Sequence, residues 1–261
     1  MVFNTEAVVI RTVAYGETHA VLTLLTPSGK LAAMARGAKK PQSRLAAGSQ
    51  LCAQGMYALY QGRGMADVRQ VEVITTRRAL RERLDLAAYA AYVCELACIG
   101  IEDAPSAPAS AFQDFVGLLD RLANASDPPA VLARVWEAKV LRMLGAAPVW
   151  TRCVECGAPW TDTGWYHVQA GGLLCAACQT RYRGPGWPVS AAAARVLEQF
   201  SRVPVQRMGR IAIGDETCRV LDRLLRLQMS EYAGLSLRSR SVLDSLLDVN
   251  GGMPSVDEEG E

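Results

Sequence analysis

Two pairs of cysteines with the same internal spacing are the residues of this sequence best suited to chemistry. Cys153 and Cys156 form one C-x2-C pair, Cys175 and Cys178 form the second, and eighteen residues separate the pairs. A tight turn lets two thiolates reach one small cation from the same side, and a second turn completes a tetrahedron. The spacing therefore predicts a zinc site with four cysteine ligands. Because four thiolates leave no open position, we expect one structural Zn²⁺; a redox dithiol or an iron–sulfur cluster is the alternative.

The other cysteines and one histidine have simpler interpretations. Cys52 lies in a predicted strand, Cys94 and Cys98 share one helix face, and Cys218 lies on a leucine-rich helix. Free cysteine behaves as a small buried residue, so we interpret these four as core residues. His167 lies between the two cysteine pairs and could serve as a spare ligand, although four thiolates already complete the site.

The most concentrated positive charge lies in one short loop, residues 36–44, called the basic loop below. It contains Arg36, Lys39, Lys40 and Arg44. Lysine and arginine in such a loop suit a phosphate chain whose base sequence need not be read. The whole chain carries a net charge of +2, yet residues 1–80 hold ten basic against four acidic side chains. The pattern favours a DNA-binding loop, and a merely solvated loop is the alternative.

A second basic cluster includes Arg77 and Arg78, at the predicted junction between strands and helices. We include both in the predicted DNA-binding set, with a solvated face as the alternative. A further row of basic residues lies on one face of a later helix and consists of Arg219, Arg223 and Arg226. This row could also extend the DNA-binding surface or form a solvated face.

Motifs of the common enzyme classes are missing from the sequence. Gly29-Lys30 is followed by Leu31, so no phosphate-binding loop of the Gly-x4-Gly-Lys-Ser/Thr type exists. Neither of the two histidines begins the His-x-Glu triplet of zinc deaminases, and no Gly-x-Ser-x-Gly elbow occurs. We therefore predict that the protein is not an enzyme.

The first eighty residues are rich in residues that favour strands, and glycine-containing turns separate these runs. Five short strands in about eighty residues are typical of a small closed barrel such as the OB fold. The predicted strands are residues 6–13, 19–26, 30–36, 51–60 and 67–76. Tyr15, Tyr57 and Tyr60 could stack on bases, although core positions are the more common place for barrel aromatics.

From residue 79 onward the hydrophobic pattern becomes helical. We expect a helix over 79–101, a second opened by a capping box at Ser110, and a third opened by Asp127 and Pro128. Ser190 is the predicted cap of a helix that runs to about residue 201, and Asp215 is the predicted cap of a helix over 216–232. A last helix is expected over 239–249.

The predicted fold class is α+β, with an N-terminal five-stranded OB-type barrel and a mostly α-helical domain that contains an inserted four-cysteine zinc module. The predicted divisions are 1–78 for the DNA-binding barrel, 79–150 and 186–250 for the two helical parts, 151–185 for the zinc module, and 251–261 for a disordered acidic tail. The N-terminus lacks the pattern of a secretory signal, and the apolar segment 86–101 is too short to span a bilayer. We expect a cytoplasmic, nucleoid-associated protein without a membrane partner.

The order of several short motifs resembles the RecO family of bacterial recombination mediators. Near the N-terminus these are Tyr15-Gly16-Glu17, Leu24-Leu25-Thr26 with Gly29, and Arg36-Gly37-Ala38-Lys39-Lys40 with Ser43. The two cysteine pairs with Gly157 and Gly171-Gly172 follow, and Leu237-Arg238-Ser239-Arg240 lies near the end. The likeness covers nearly the whole chain except the acidic tail.

The resemblance implies a role in DNA repair and recombination through the RecFOR pathway. Members of the family bind single- and double-stranded DNA, anneal complementary strands and, with RecR and sometimes RecF, place RecA on DNA covered by single-strand-binding protein. They often contact the C-terminal tail of that protein. A zinc-ribbon transcription or scaffold protein without annealing activity is the alternative. An NAD-dependent deacetylase would share the cysteine spacing, but it needs a glycine-rich dinucleotide loop that is not found here.

Overall fold

The computed structural model describes residues 1–103, 105, 109–159, 162–184 and 186–249. The predicted acidic tail, 251–261, lies outside these residues. The chain forms two compact units: unit 1 is Met1–Ser126 together with the segment that begins at Leu237, and unit 2 is Asp127–Ser236. Among the described residues, no helix has the length and apolar character needed to cross a membrane.

Strands dominate the first part of the chain, and helices dominate the rest. The strands are β1 (Val2–Tyr15), β2 (His19–Thr26), β3 (Gly29–Ala35), β4 (Gln54–Tyr60), β5 (Ala66–Thr75), β6 (Thr163–His167), β7 (Gly172–Leu174) and β8 (Trp187–Ser190). The helices are α1 (Ala79–Glu82), α2 (Leu84–Gly100), α3 (Ala109–Ala123), α4 (Pro129–Met143), α5 (Ala176–Gln179), α6 (Ala191–Arg202), α7 (Asp215–Leu227) and α8 (Arg238–Val249).

The first five strands close into a barrel in the order β1-β2-β3-β5-β4, because the long strand β1 pairs with β2 along one edge and with β4 along the other. All pairs are antiparallel except β3 with β5. Gly55 lies at a register shift where a Cβ atom would come within 2.5 Å of the carbonyl oxygen of Glu72. The predicted fold class, an α+β chain with an N-terminal five-stranded barrel, is confirmed.

Small and branched residues fill the barrel interior, where alternate side chains of each strand point inward. The largest buried members are Val9, Leu22, Leu24, Tyr57 and Leu59. Burial of a whole aliphatic side chain contributes roughly 1.5–3 kcal/mol, so this cluster supplies much of the stability of unit 1.

Unit 1 also contains α1, α2, α3 and the returning helix α8. The predicted single helix over 79–101 is wrong in one respect, because Arg83 adopts an extended conformation and divides it into α1 and α2. Helix α3 already includes Ala109, so the predicted cap at Ser110 is misplaced. Lys30 of β3 links the barrel to α2, since its Nζ donates to the carbonyl oxygen of Cys98 at 2.6 Å.

Unit 2 packs α4, α6 and α7 beside a small three-stranded sheet with the order β7-β6-β8. Ser190 caps α6 as predicted, because its Oγ accepts from the backbone N–H of Ala193 at 3.2 Å. Asp127 does not cap α4; its carboxylate accepts from the N–H of Ile211 at 2.9 Å instead. Asp215 is not a cap as predicted, because α7 begins at Asp215 itself and Gly214 occupies the cap position. The helix predicted over 216–232 ends as α7 at Leu227 and continues as a π-helical turn, Gln228–Tyr232.

Several charged and polar groups that are buried within unit 2 have partners there. Arg134 of α4 forms ion pairs with Glu137 of the same helix and with Asp222 of α7. The amide of Gln228 joins two elements, because it accepts from the hydroxyl of Tyr166 and donates to the carbonyl oxygen of Ala146 at 2.7 Å. A buried charge without a partner is costly, so these pairs favour one packing of the helices.

Candidate nucleic-acid interface and metal centre

The basic loop follows β3 and is held to the barrel at its start. The backbone N–H of Gly37 donates to Nδ1 of His19 at 2.9 Å, and the N–H of Lys39 donates to the carbonyl oxygen of Thr18, also at 2.9 Å. Gly37 has φ +72°, a conformation that costs glycine little. Between these anchors Ala38 is buried in the barrel core. The loop is therefore fixed against the turn between β1 and β2.

The charged side chains of the loop point outward. Arg36, Lys39, Lys40 and Arg44 are all exposed. Arg36 forms an ion pair with Asp67 of β5, with Nε and Oδ1 3.0 Å apart. Lys39, Lys40 and Arg44 form no ion pair with any residue that the structure describes. Three charges are thus available to an anion, while that of Arg36 is shared with an acidic neighbour.

Arg77 and Arg78 are adjacent in sequence but differ in environment. The side chain of Arg77 is 2% exposed and pairs with Asp120 at 2.8 Å. It also donates to the carbonyl oxygen of Cys52 at 3.0 Å and to the side-chain oxygen of Gln54 at 2.5 Å. Arg78 is exposed and pairs with Glu82 at 2.6 Å. These contacts give Arg77 a structural role, and the interface proposed below does not include it.

The three tyrosines singled out in the barrel occupy different places. Tyr57 is a core residue whose hydroxyl donates to the carbonyl oxygen of Gly48 at 2.7 Å, and burial raises its pKa. Tyr15 and Tyr60 are exposed. The guanidinium of Arg69 lies 5.0 Å from the centre of the Tyr60 ring, a cation–π contact on the outer face. Arg69 lies two positions after Asp67 on β5 and was not among the basic residues predicted to bind DNA.

The four paired cysteines come together in unit 2. The four Sγ atoms of Cys153, Cys156, Cys175 and Cys178 all lie within 4.8 Å of one another. The first pair forms a turn closed by the N–H of Gly157, which donates to the carbonyl oxygen of Cys153 at 2.9 Å. Helix α5 begins directly after Cys175 and carries Cys178.

The hairpin of β6 and β7 positions the first cysteine turn. The N–H of Val154 donates to the carbonyl oxygen of Leu173 at 2.9 Å, which places the turn beside β7. The approach requires a glycine, because a Cβ atom at Gly172 would come within 2.6 Å of the Val154 side chain. The spacing of the cysteines predicted the two turns but not the small sheet that lies beside them.

The distances between sulfur atoms fit one tetrahedral metal ion. A zinc–sulfur bond of about 2.3 Å implies sulfur atoms about 3.8 Å apart at the corners of a tetrahedron. The sulfur atoms of Cys156 and Cys175, one from each pair, are 3.9 Å apart. The cluster can therefore hold a metal ion without a large rearrangement of the chain.

The acidities of two of these thiols differ strongly. Burial raises the pKa of Cys153, but hydrogen bonds from the backbone amides of Cys156, Cys175 and Glu155 outweigh it and lower the value to about 6. Burial and hydrogen bonds with the other thiols raise the pKa of Cys178. A bound cation would favour the thiolate at every position. His167 is not part of the cluster; its Nε2 lies 3.1 Å from the carbonyl oxygen of Arg183.

Comparison with known protein families agrees with this geometry. The family model described as Recombination protein O N terminal matches residues 1–77, and the model Recombination protein O C terminal matches residues 81–241. The chain belongs to the RecO family. RecO-family relatives from Bacillus cereus (strain AH187), Bacillus anthracis and Bacillus thuringiensis subsp. konkukian, each named DNA repair protein RecO, are 36% identical over 244 residues. These residues cover 92% of this chain and 96% of each relative.

The Leu237–Arg240 segment, one of the RecO-like motifs, begins α8 and attaches it to α2. The carboxylate of Glu95 accepts from the N–H groups of Arg238 and Ser239, at 3.2 and 2.8 Å, and from the Ser239 hydroxyl. The guanidinium of Arg240 lies 5.5 Å from the centre of the Tyr92 ring. This part of the motif therefore holds the last helix in unit 1.

A groove of about 410 Å³ lies in unit 2 of this RecO-family chain, between α6 and the segment 207–213. Apolar side chains line it, including Phe200 and Met208, together with the exposed arginines Arg207 and Arg210. Arg219 and Arg223 are exposed on α7 and do not line this groove.

Proposed function

We propose that this protein is a DNA-binding recombination mediator that acts in DNA repair. In this proposal it binds single- and double-stranded DNA through the barrel of unit 1, with Lys39, Lys40 and Arg44 as the principal contacts and Arg36 and Arg78 beside them. It anneals complementary strands without ATP and is not an enzyme. We place it in the cytoplasm, associated with the nucleoid.

The observation that carries the proposal is the fixed basic loop, in which three cations form no ion pair with any described residue. Two hydrogen bonds to the β1–β2 turn and the buried Ala38 hold the backbone, so that Lys39 and Lys40 stay on the surface. Contacts to the phosphate chain position a strand without reading its sequence. A protein that anneals arbitrary complementary strands needs this kind of contact, because it must leave the base edges free to pair.

The family relationship supports a proposal about the proteins with which this chain acts. We propose that the protein acts with RecR, and in some settings RecF, to place RecA on DNA covered by single-strand-binding protein. We further propose that the groove of unit 2 receives the C-terminal tail of that protein. The apolar lining would bury side chains of the tail, and Arg207 and Arg210 would pair with its terminal carboxylate.

We also propose that the four-cysteine cluster holds one structural Zn²⁺. Its ligands would be Cys153, Cys156, Cys175 and Cys178. Bound zinc would cross-link the two turns and stabilise the small sheet between them, because a module of about thirty residues has little core of its own. All four positions would be filled by protein, so the ion would take no part in chemistry on DNA.

The experiment that tests the main proposal is DNA binding and strand annealing across a salt series, with and without ATP. Each phosphate contact adds roughly 0.7–0.9 to the slope of log affinity against log salt concentration. We expect the double variant Lys39→Glu/Lys40→Glu to lose affinity for every sequence tested and to show a shallower slope. The matched control is Arg219→Glu/Arg223→Glu, which makes the same change of charge on exposed residues of α7.

Two outcomes would refute the assignment. If the loop variant keeps its affinity while the α7 variant loses it, the interface lies on unit 2. If the intact protein binds DNA but does not anneal strands coated with single-strand-binding protein, the alternative of a zinc-ribbon scaffold or transcription protein is favoured.

A further inference from the structure

Two thiols outside the metal centre face each other inside unit 1. The sulfur atoms of Cys52 and Cys94 are 3.6 Å apart, and both residues are 1% exposed. Cys52 belongs to the segment between β3 and β4, and Cys94 belongs to α2. The contact therefore joins the barrel to its first long helix.

The backbone at Cys52 is unusual for a residue that merely fills space. Its φ is +65°, in the left-handed region that favours glycine and asparagine. Hydrogen bonds hold it there: its N–H donates to the carbonyl oxygen of Val9 at 2.9 Å, and its own carbonyl oxygen accepts from Arg77 at 3.0 Å. Surrounding structure thus maintains a strained conformation that directs this thiol toward α2.

The electrostatic environment makes the two thiols unequal. The hydrogen bond with Cys94 lowers the pKa of Cys52, burial opposes this by raising it, and the nearby charge of Arg77 also lowers it, so that the net shift is downward. The same hydrogen bond and burial raise the pKa of Cys94. A thiol with a lowered pKa beside one with a raised pKa suits an attacking and a resolving cysteine.

We propose that Cys52 and Cys94 are a redox-active pair that forms a disulfide when the protein meets a hydroperoxide. The Cys52 thiolate attacks the peroxide, its sulfur is oxidised to a sulfenic acid, and the O–O bond breaks with release of hydroxide when the oxidant is hydrogen peroxide. The Cys94 thiol then displaces the sulfenic oxygen as water, and the S–S bond forms. The proposal does not rest on DNA binding.

The geometry requires only a small displacement for this bond. A disulfide has its sulfur atoms about 2.0 Å apart, so the atoms must approach by about 1.6 Å. Cys98, one turn further along α2, is a less suitable partner because its thiol is directed at the carbonyl oxygen of Ile10, 3.8 Å away. Among the described residues, these thiols belong to no cluster of three or more metal-binding side chains. Because both thiols are buried, oxidation should await local opening of the chain.

Peptide mapping of the zinc-loaded, full-length protein tests the proposal. The protein is treated with hydrogen peroxide, the remaining thiols are alkylated, and trypsin digestion follows without reduction. Cys52 lies in the tryptic peptide 45–63, and Cys94 lies with Cys98 in the peptide 84–121. We expect these peptides to be covalently linked after oxidation and to separate on reduction. The intact oxidised protein should melt several degrees higher than the reduced protein.

Variants identify the partner. The link should persist in Cys98→Ser and in the buried-thiol control Cys218→Ser, and it should disappear in Cys94→Ser. Oxidation of the metal-centre cysteines is distinguished because they lie in other peptides. A link to Cys98, or peroxide treatment that oxidises the metal-centre cysteines and leaves 45–63 and 84–121 separate, would overturn the proposal. The unaltered chain alone shows whether the two peptides become linked, so that part of the test does not depend on whether a variant folds.

Discussion

Arg77 and Asp120 form an ion pair with 2.8 Å between Nε and Oδ1, in which the arginine is buried and the aspartate is half exposed. Arg77 follows the last strand of the barrel, and Asp120 lies on α3. The same guanidinium also bonds to Cys52 and Gln54, so one side chain joins three parts of unit 1. The charge of Arg77 is therefore paired with groups inside unit 1.

Replacing Arg77 with leucine should destabilise the protein strongly. The change leaves the carbonyl oxygen of Cys52 and the amide oxygen of Gln54 without their donor, and a buried hydrogen bond to a charged group contributes about 1.5–3 kcal/mol. We expect the free energy of unfolding, measured in urea, to fall by about 2–4 kcal/mol. The control is Arg78→Ala, which removes an exposed i,i+4 ion pair with Glu82. This variant should change the free energy of unfolding by less than about 0.5 kcal/mol. Equal effects of the two variants would contradict the structural role of Arg77.

A pH-dependent contribution should come from the attachment of α8 to Glu95. Burial raises the pKa of Glu95, but hydrogen bonds from Ser239 and Arg238 outweigh it and hold the pKa below its ordinary value of 4.5. A carboxyl group whose pKa is lower in the folded state stabilises the protein above its unfolded value, and the contribution is lost as the pH falls through the folded value. The loss should therefore occur below about pH 4.5.

Glu95→Gln tests this contribution. At neutral pH we expect the variant to be about 1–3 kcal/mol less stable, since charge-assisted hydrogen bonds to the start of α8 become neutral ones. The difference from the parent protein should shrink as the pH is lowered from 6 to about 3 in denaturant titrations. Glu102→Gln, an exposed position, serves as the control. A difference that is independent of pH would show that the carboxylate charge is not responsible.

Removal of the metal should destabilise unit 2. Elemental analysis is expected to find about one zinc per chain, because four thiolates complete a single tetrahedral site. Cys153→Ser/Cys175→Ser should lose the metal, and a strong chelator should lower the melting temperature of the parent protein by more than about 5 °C. Cys218→Ser should retain the metal, since Cys218 lies on α7 outside the cluster. Iron in place of zinc, or protein without metal when prepared without chelators, would contradict the assignment.

Local patterns in the sequence predicted the barrel and the cysteine cluster well. The spacing of two C-x2-C pairs already limits where four sulfur atoms can lie, and alternating strand residues separated by glycine turns define a small barrel. Those signals act over a few residues, so they can be read without knowledge of the tertiary structure.

Features that depend on distant residues could not be predicted in this way. Nothing in the Arg77-Arg78 dipeptide tells which side chain turns inward, because Asp120 is 43 residues away. The same holds for Asp127, which contacts Ile211 rather than its own helix. The hydrophobic pattern also did not predict the interruption at Arg83, since a single extended residue hardly changes the spacing of apolar side chains on either side.

The anchoring of the basic loop leads to a final prediction about how it acts on DNA. His19 holds the loop through the N–H of Gly37 but is not proposed to touch phosphate. In His19→Ala the loop should become more mobile, and binding must then restrict it again at a cost in conformational entropy. We expect a loss of affinity of about three- to tenfold, with the slope of log affinity against log salt concentration unchanged. Lys39→Ala should instead reduce that slope by roughly 0.7–0.9, because one phosphate contact is removed. Measuring both variants across the same salt series separates positioning from charge, and a shallower slope in His19→Ala would show that the histidine itself meets the phosphate chain.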